Sequence, residues 1–85
     1  MDATEIVETT KRQMAAITGL SPDVVARFDR ADEGWAVAID MLEHRAIPRT
    51  NDLISAFEVT LDGAGRILRW KRVGRFHRSN GREEG

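Results

Sequence analysis

Four groups of residues in this chain have the types and spacings from which chemistry can be built. The two histidines, His44 and His77, are potential metal ligands, but they lie far apart in sequence and neither has a carboxylate at a recognisable ligand spacing. Asp40 and Glu43 could form an acid–base pair, yet on an extended chain residues three apart point to opposite faces. Asp62-Gly63-Ala64-Gly65 superficially suggests a calcium or phosphate loop, but the remaining ligands and the following helix are missing. With no cysteine there is neither a disulfide framework nor a thiolate for nucleophilic or metal chemistry. No set of residues converges on a catalytic role, and the sequence implies no enzyme activity, no cofactor and no metal.

The fourth group is the basic run near the C-terminus. Arg66, Arg69, Lys71, Arg72, Arg75 and Arg78 are interleaved with Trp70 and Phe76. Cations with aromatic rings on one exposed face would suit single-stranded nucleic acid, through a charged groove and base stacking. Strict alternation argues against this, since it places Leu68, Trp70 and Phe76 on one face and Arg69, Lys71, Arg75 and His77 on the other. Arg72 breaks the pattern by falling on the tryptophan side, which suggests a position at the sheet's end, stacking on a ring, or a bulge near Gly74. Two other readings compete with nucleic acid: a salt-bridged, solvated face and a surface for docking another protein.

Four strands and a helix must position these residues. Ile6, Thr10, Met14 and Ile17 form a stripe at helical spacing and predict a helix over residues 3–18. Asp2 is its N-cap, with Glu5 placed to complete a reciprocal cap, and Gly19 is its stop. Ser21-Pro22 could open a second helix, but Val24, Ala26 and Phe28 alternate with Val25, Arg27 and Asp29, which favours a strand at 24–30. A strand over about 35–44 places Trp35, Val37, Ile39 and Met41 on one face. After a connector containing Pro48, a strand over about 52–61 places Leu53, Ser55, Phe57, Val59 and Leu61 on one face. The glycine-rich turn at 62–65 leads to the last strand, about 66–77. Short connections make consecutive strands neighbours. The predicted fold class is therefore α+β, an N-terminal helix packed on a four-stranded antiparallel β-meander. The helix would cover the face bearing Trp35, Val37, Ile39, Phe57, Val59, Leu68 and Trp70, leaving the opposite face open. The architecture is similar to that of small PepSY-type domains.

Eighty-five residues suffice for one small domain, assigned to residues 1–78, with 79–85 expected to trail as a disordered polar tail. No hydrophobic run approaches a membrane span, and the N-terminus lacks the pattern of a signal peptide. The net charge of −1 conceals an asymmetry. Residues 1–62 carry six Lys/Arg against twelve Asp/Glu, whereas residues 63–85 carry seven against two. An acidic body with a basic last strand can orient the protein against a partner or pair its charges internally.

An ordered series of blocks over residues 34–78 resembles the gas vesicle protein O (GvpO) family. The blocks are Gly34-Trp35, the acidic pair Asp40 and Glu43, Ile47-Pro48, Asp52-Leu53, Phe57-Glu58-Val59, Leu61-Asp62, and the aromatic and arginine-rich ending. There are departures from the family pattern. Asp40-Met41-Leu42-Glu43 stands where Glu-Val-Val-Glu is common, and Ala46 where arginine is common. Phe57, Trp70 and Phe76 stand where tyrosines are usual, so any role resting on those hydroxyls is lost. The resemblance implies a non-enzymatic accessory protein, free in the cytoplasm or associated with gas vesicles there, that binds other gas vesicle proteins during nucleation or growth. A charged content of 32% agrees with an accessory rather than a shell protein, which needs an apolar surface to exclude water. The surfaces nominated for partner binding are Asp40 and Glu43 together with Arg69, Lys71, Arg75 and Arg78. The alternative is a small nucleic-acid-binding module using the last strand.

Overall fold

The computed structural model describes residues 2–79, so the expected tail at 79–85 lies, apart from Ser79, outside the described residues. Helix α1 spans Ala3–Thr18, followed by strands β1 (Ser21–Ala31), β2 (Gly34–His44), β3 (Leu53–Asp62) and β4 (Ile67–His77), with a short 3₁₀ turn at Arg49–Asn51. The strands form one antiparallel sheet in the order β1-β2-β3-β4. This is the helix-on-meander architecture expected from the residue pattern.

The helix is bounded by local chemistry. Asp2 Oδ1 accepts from the Glu5 N–H at 2.8 Å while Glu5 Oε1 accepts from the Asp2 N–H at 3.0 Å, closing a reciprocal cap. At the other end Gly19 adopts φ 75° and its N–H bonds the Ala15 carbonyl at 2.9 Å. Ile6 and Met14 are fully buried against Val37, Ile39, Met41, Phe57, Val59 and Leu61. Thr10 shares that buried stripe because its hydroxyl donates to the Ile6 carbonyl at 2.7 Å. Ile17, expected on the same stripe, is instead 46% exposed. The helix rests over β1 and β2. Gln13 adds a polar tie at the β3–β4 turn, donating to the Gly65 carbonyl at 2.7 Å and accepting from the Ile67 N–H at 3.1 Å.

Bulges alter the expected faces of both edge strands. β1 is longer than the 24–30 anticipated, beginning at Ser21 with Pro22 tolerated on an edge. Its register shifts on either side of Val25, so Val25 and Phe28 pack against the core while Val24 is 51% exposed. Each extra residue reverses the alternation that follows it. In β4 the extra residues are Leu68 and Val73, since Ile67 and Arg69 face Leu61 and Thr60, and Arg72 and Gly74 face Phe57 and Ala56. Leu68 is consequently 46% exposed, contrary to the expected core position. Trp70, Arg72 and Arg75 lie opposite the buried Val59, Phe57 and Ser55, on the helix side of the sheet. Lys71 and Phe76 lie opposite Glu58 and Ile54, on the other side. The expected separation of aromatics from cations is thus corrected: Arg75 joins Trp70, and Phe76 joins Lys71.

The face away from the helix is only partly open. Ile54 and Ala56 are buried there, at 1% and 4% exposure, and Asp40 is 9% exposed. Small Ala38 and Ala56 form the floor of a hollow of about 170 Å³ bordered by Arg27, Glu58 and Val73.

Candidate docking surface

The six nominated residues do not form one patch. Glu43 is the extra residue in β2, where Leu42 faces Ile54 and His44 faces Leu53. From that bulge its carboxylate reaches across β3 to β4. Arg75 grips it with Nε to Oε1 at 3.1 Å and Nη2 to Oε2 at 2.6 Å, and the Ser55 hydroxyl donates to Oε1. The fork-to-carboxylate geometry holds both partners in place. The Ser55 hydroxyl, followed by Arg75 and Arg72, holds the Glu43 carboxyl below its ordinary range despite the opposing cost of burial. Asp40, three residues earlier, faces Ala56 on the opposite side of the sheet.

Two more of the nominated cations are also engaged. Arg69 pairs bidentately with Glu33 in the β1–β2 turn, which lowers the Glu33 carboxyl and raises the guanidinium. Arg78 donates to Asp52 Oδ2 at 3.2 and 3.3 Å and to both carboxylate oxygens of Asp23 at 3.1 and 3.4 Å. Asp52 is 2% exposed, and its other carboxylate oxygen accepts from the Ala46 N–H at 2.7 Å. That backbone bond, with Arg78 behind it, depresses the Asp52 carboxyl. The cluster clamps the loop bearing Ile47-Pro48 onto the end of the sheet. Lys71, by contrast, is exposed beside Glu58 with its ammonium available to solvent.

Arg72 is the cation that sequence reasoning set aside and the structure places in a hollow. It is 51% exposed and 4.0 Å from Glu43, whose oxygens are taken by Ser55 and Arg75. It lines a groove of about 510 Å³ together with Thr18, Leu20, Glu43, Phe57 and Trp70. Trp70 meets Phe57 edge-on at 5.7 Å between centroids and remains 42% exposed. The groove exists because α1 rests over β1 and β2, leaving the β4 side of that face uncovered. The unusual parity of Arg72 was its signal in the sequence; without the position of the helix it could not be read.

The other candidate groups have structural uses. Asp62 Oδ1 accepts from the Ala64 and Arg66 N–H groups, each at 2.9 Å, so its carboxylate closes the turn that superficially suggested an ion-binding loop. Those bonds, that of Arg66 first, lower its pKa. His44 and His77 stand on either side of Leu53, nearer than their sequence separation suggests, and His77 Nδ1 lies 3.2 Å from the Asn51 carbonyl. Among the described residues, no group of three or more His, Cys, Asp or Glu is arranged to hold a metal ion. No helix among them is long and apolar enough to cross a membrane.

These features define a small helix-on-sheet protein whose most developed surface is a charged strand beside an apolar groove. Residues 1–82 match the family described as "Gas vesicle synthesis protein GvpO", and the chain belongs to that family. It is 35% identical over 66 residues to "Gas vesicle protein O" of Streptomyces sp. (strain CB03234), covering 78% of this chain and 52% of that protein. It is 38% identical over 53 residues to "Gas vesicle protein O1" of Halobacterium salinarum, covering 62% of this chain and 44% of that one. A Haloferax mediterranei "Gas vesicle protein O" is 33% identical over 52 residues, covering 61% of this chain and 37% of the relative. The matched regions therefore span about half or less of these relatives' lengths. No solved structure matches the chain.

Proposed function

We propose that this protein is a non-enzymatic accessory factor in gas vesicle assembly, acting in the cytoplasm by binding other gas vesicle proteins. The family match across residues 1–82 is the observation that carries this reading. The distribution of charge supports a docking role: β4 presents Lys71 and Arg72 to solvent, while Arg69, Arg75 and Arg78 are held in ion pairs that shape the surface around them. In this reading Asp40, Glu43, Arg69, Lys71, Arg75 and Arg78 are the residues on which partner capture depends.

Deletion of the gene in a vesicle-forming host, with rescue by wild-type protein and by the Arg69→Glu/Lys71→Glu/Arg75→Glu variant, tests the role. Vesicles are expected to vanish on deletion and to return with wild type alone. Because Arg69 and Arg75 hold Glu33 and Glu43, the thermal midpoint of the triple variant must be checked, and Lys71→Glu alone serves as the variant that breaks no ion pair. Normal vesicles after deletion of every copy of the gene would sink the assembly role. Full rescue by the folded triple variant would remove β4 from the mechanism.

One observation favours a second reading, a nucleic-acid module: Trp70 shares a face with Arg72 and Arg75 rather than being separated from them. Against it, Arg75 is committed to Glu43, and the acidic residues of the body repel phosphates. Oligonucleotide affinity falling steeply with salt would support it, and no binding at low ionic strength would dismiss it.

A further inference from the structure

We infer that the groove between the C-terminal end of α1 and β4 is a peptide-docking site that takes an apolar side chain adjacent to a carboxylate. This deepens the proposed function by naming the partner's chemistry at one surface. The groove's aromatic area comes from Trp70, which keeps 42% of its surface exposed and rests edge-on against the buried Phe57. A partly exposed tryptophan in a concave apolar setting is the kind of anchor on which protein–protein affinity concentrates. Leu20 and Thr18 also line the groove, extending its surface to the end of α1.

Charge selects the occupant. Two guanidiniums, Arg72 and Arg75, stand at this end of the groove against one carboxylate, Glu43. Arg75 and Ser55 satisfy Glu43 at hydrogen-bonding distance, while Arg72 stays at 4.0 Å and half exposed. One positive charge thus remains available in the groove that Trp70 also lines. A partner carboxylate reaching Arg72 gains a fork-shaped donor pair and meets no carboxylate lacking its own partners. A lysine or arginine there would confront Arg72 and be rejected. A second copy seated by its own β4 would bring Lys71 and Arg72, the two cations that strand presents to solvent, towards the same two residues, a like-charge arrangement that disfavours self-association here. Nucleic acid needs several available cations in a row, whereas the groove supplies one.

The test uses the full chain carrying Trp35→Phe, which leaves Trp70 as its sole tryptophan. The probes are synthetic amphipathic peptides with leucine on one face and glutamate on the other, and the same peptides with lysine replacing glutamate. The glutamate peptide is expected to shift Trp70 emission to shorter wavelength with saturation, and the lysine peptide to bind at least about tenfold more weakly. Arg72→Glu should invert that preference, and Trp70→Ala, followed by fluorescence anisotropy of a labelled peptide, should abolish binding of either. Circular dichroism of each variant establishes that it is folded. Equal binding of both peptides, or glutamate-peptide binding undiminished in folded Trp70→Ala, overturns the proposal. So does a dimer in sedimentation that Arg72→Glu dissociates, or a labelled oligonucleotide that displaces the glutamate peptide. Failure here is separable from failure of the assembly role: if Arg72→Glu and Trp70→Ala restore vesicles in the deletion host, the groove is excluded while the assembly role stands.

Discussion

Arg78 Nη1 donates to Asp23 Oδ2 at 3.1 Å, joining the residue just past β4 to one near the start of β1. These strands are the two edges of the sheet, which in a flat sheet would stand about 14 Å apart at the usual strand spacing. Sheet coiling and the long arginine side chain together close that distance. The same guanidinium holds the nearly buried Asp52, while the Arg78 N–H bonds the Asp52 carbonyl at 2.8 Å. One side chain therefore fastens the loop before β3 and both sheet edges at one end of the molecule.

Removing that clamp should be felt throughout. Arg78→Ala strands the Asp52 carboxylate with only its backbone donor, and the thermal midpoint by circular dichroism is expected to fall by several degrees. Arg78→Lys should recover only part of the loss, because a single ammonium cannot fork between two carboxylates. An unchanged midpoint in Arg78→Ala would show that the cluster is decorative.

The depressed carboxyls set the acid limb of stability. Glu43 is lowered chiefly by the Ser55 hydroxyl, then by Arg75, and Asp52 by the Ala46 N–H, then by Arg78. In the unfolded chain these groups return to ordinary values near about 4 and bind protons more readily. Their stabilisation is thus present above the unfolded pKa and is lost as pH falls through the lower folded values. The thermal midpoint should be level from neutrality down to about pH 5 and decline below about pH 4. In Glu43→Gln the plateau should drop and the acid limb flatten. A midpoint that rises on acidification would contradict the sign.

Gly34 is the backbone position with least latitude. Its φ is 152°, and an added Cβ would lie 2.4 Å from the Asp62 carbonyl carbon and 2.5 Å from the Leu61 oxygen. Both are main-chain atoms of the neighbouring β3, which cannot step aside without breaking the ladder. Gly34→Ala is expected to cost about 2–4 kcal/mol in chemical denaturation. A loss no greater than for a typical surface alanine substitution would mean that β2 and β3 separate easily at this turn.

Core and docking surface should respond separately. Ile39 is fully buried beneath α1, and Ile39→Ala is expected to cost about 3 kcal/mol. Lys71→Ala touches an exposed side chain and should leave the denaturation midpoint unchanged while weakening partner capture in a pull-down with gas vesicle proteins. A large stability loss in Lys71→Ala would show that β4 is structural throughout.

Much of this architecture was legible in the residues. The helix boundaries followed from Asp2, Glu5 and Gly19, whose capping chemistry is local to the chain. The alternation in β2 and β3 correctly placed Val37, Ile39, Met41, Phe57, Val59 and Leu61 on the buried face. Both strands lie inside the sheet, where neighbours on each side enforce the pleat and the period of two reports burial directly.

The edge strands were not legible in the same way. Leu68 looked buried and is exposed, and Val24 does not share the packed face of Phe28, because each strand accommodates extra residues that only one neighbour must tolerate. That displacement moved Arg75 to the side of Trp70 and carried Phe76 away from it. The ion pairs Arg69–Glu33, Arg75–Glu43 and Arg78–Asp23 each join residues more than thirty positions apart, so no local pattern could announce them. By itself, the sequence determined the order of elements, the buried faces of the central strands and an excess of arginine near the end. Only the tertiary structure decided which arginines are neutralised and which remains available, because that depends on where bulged edge strands and an off-centre helix bring distant charges together.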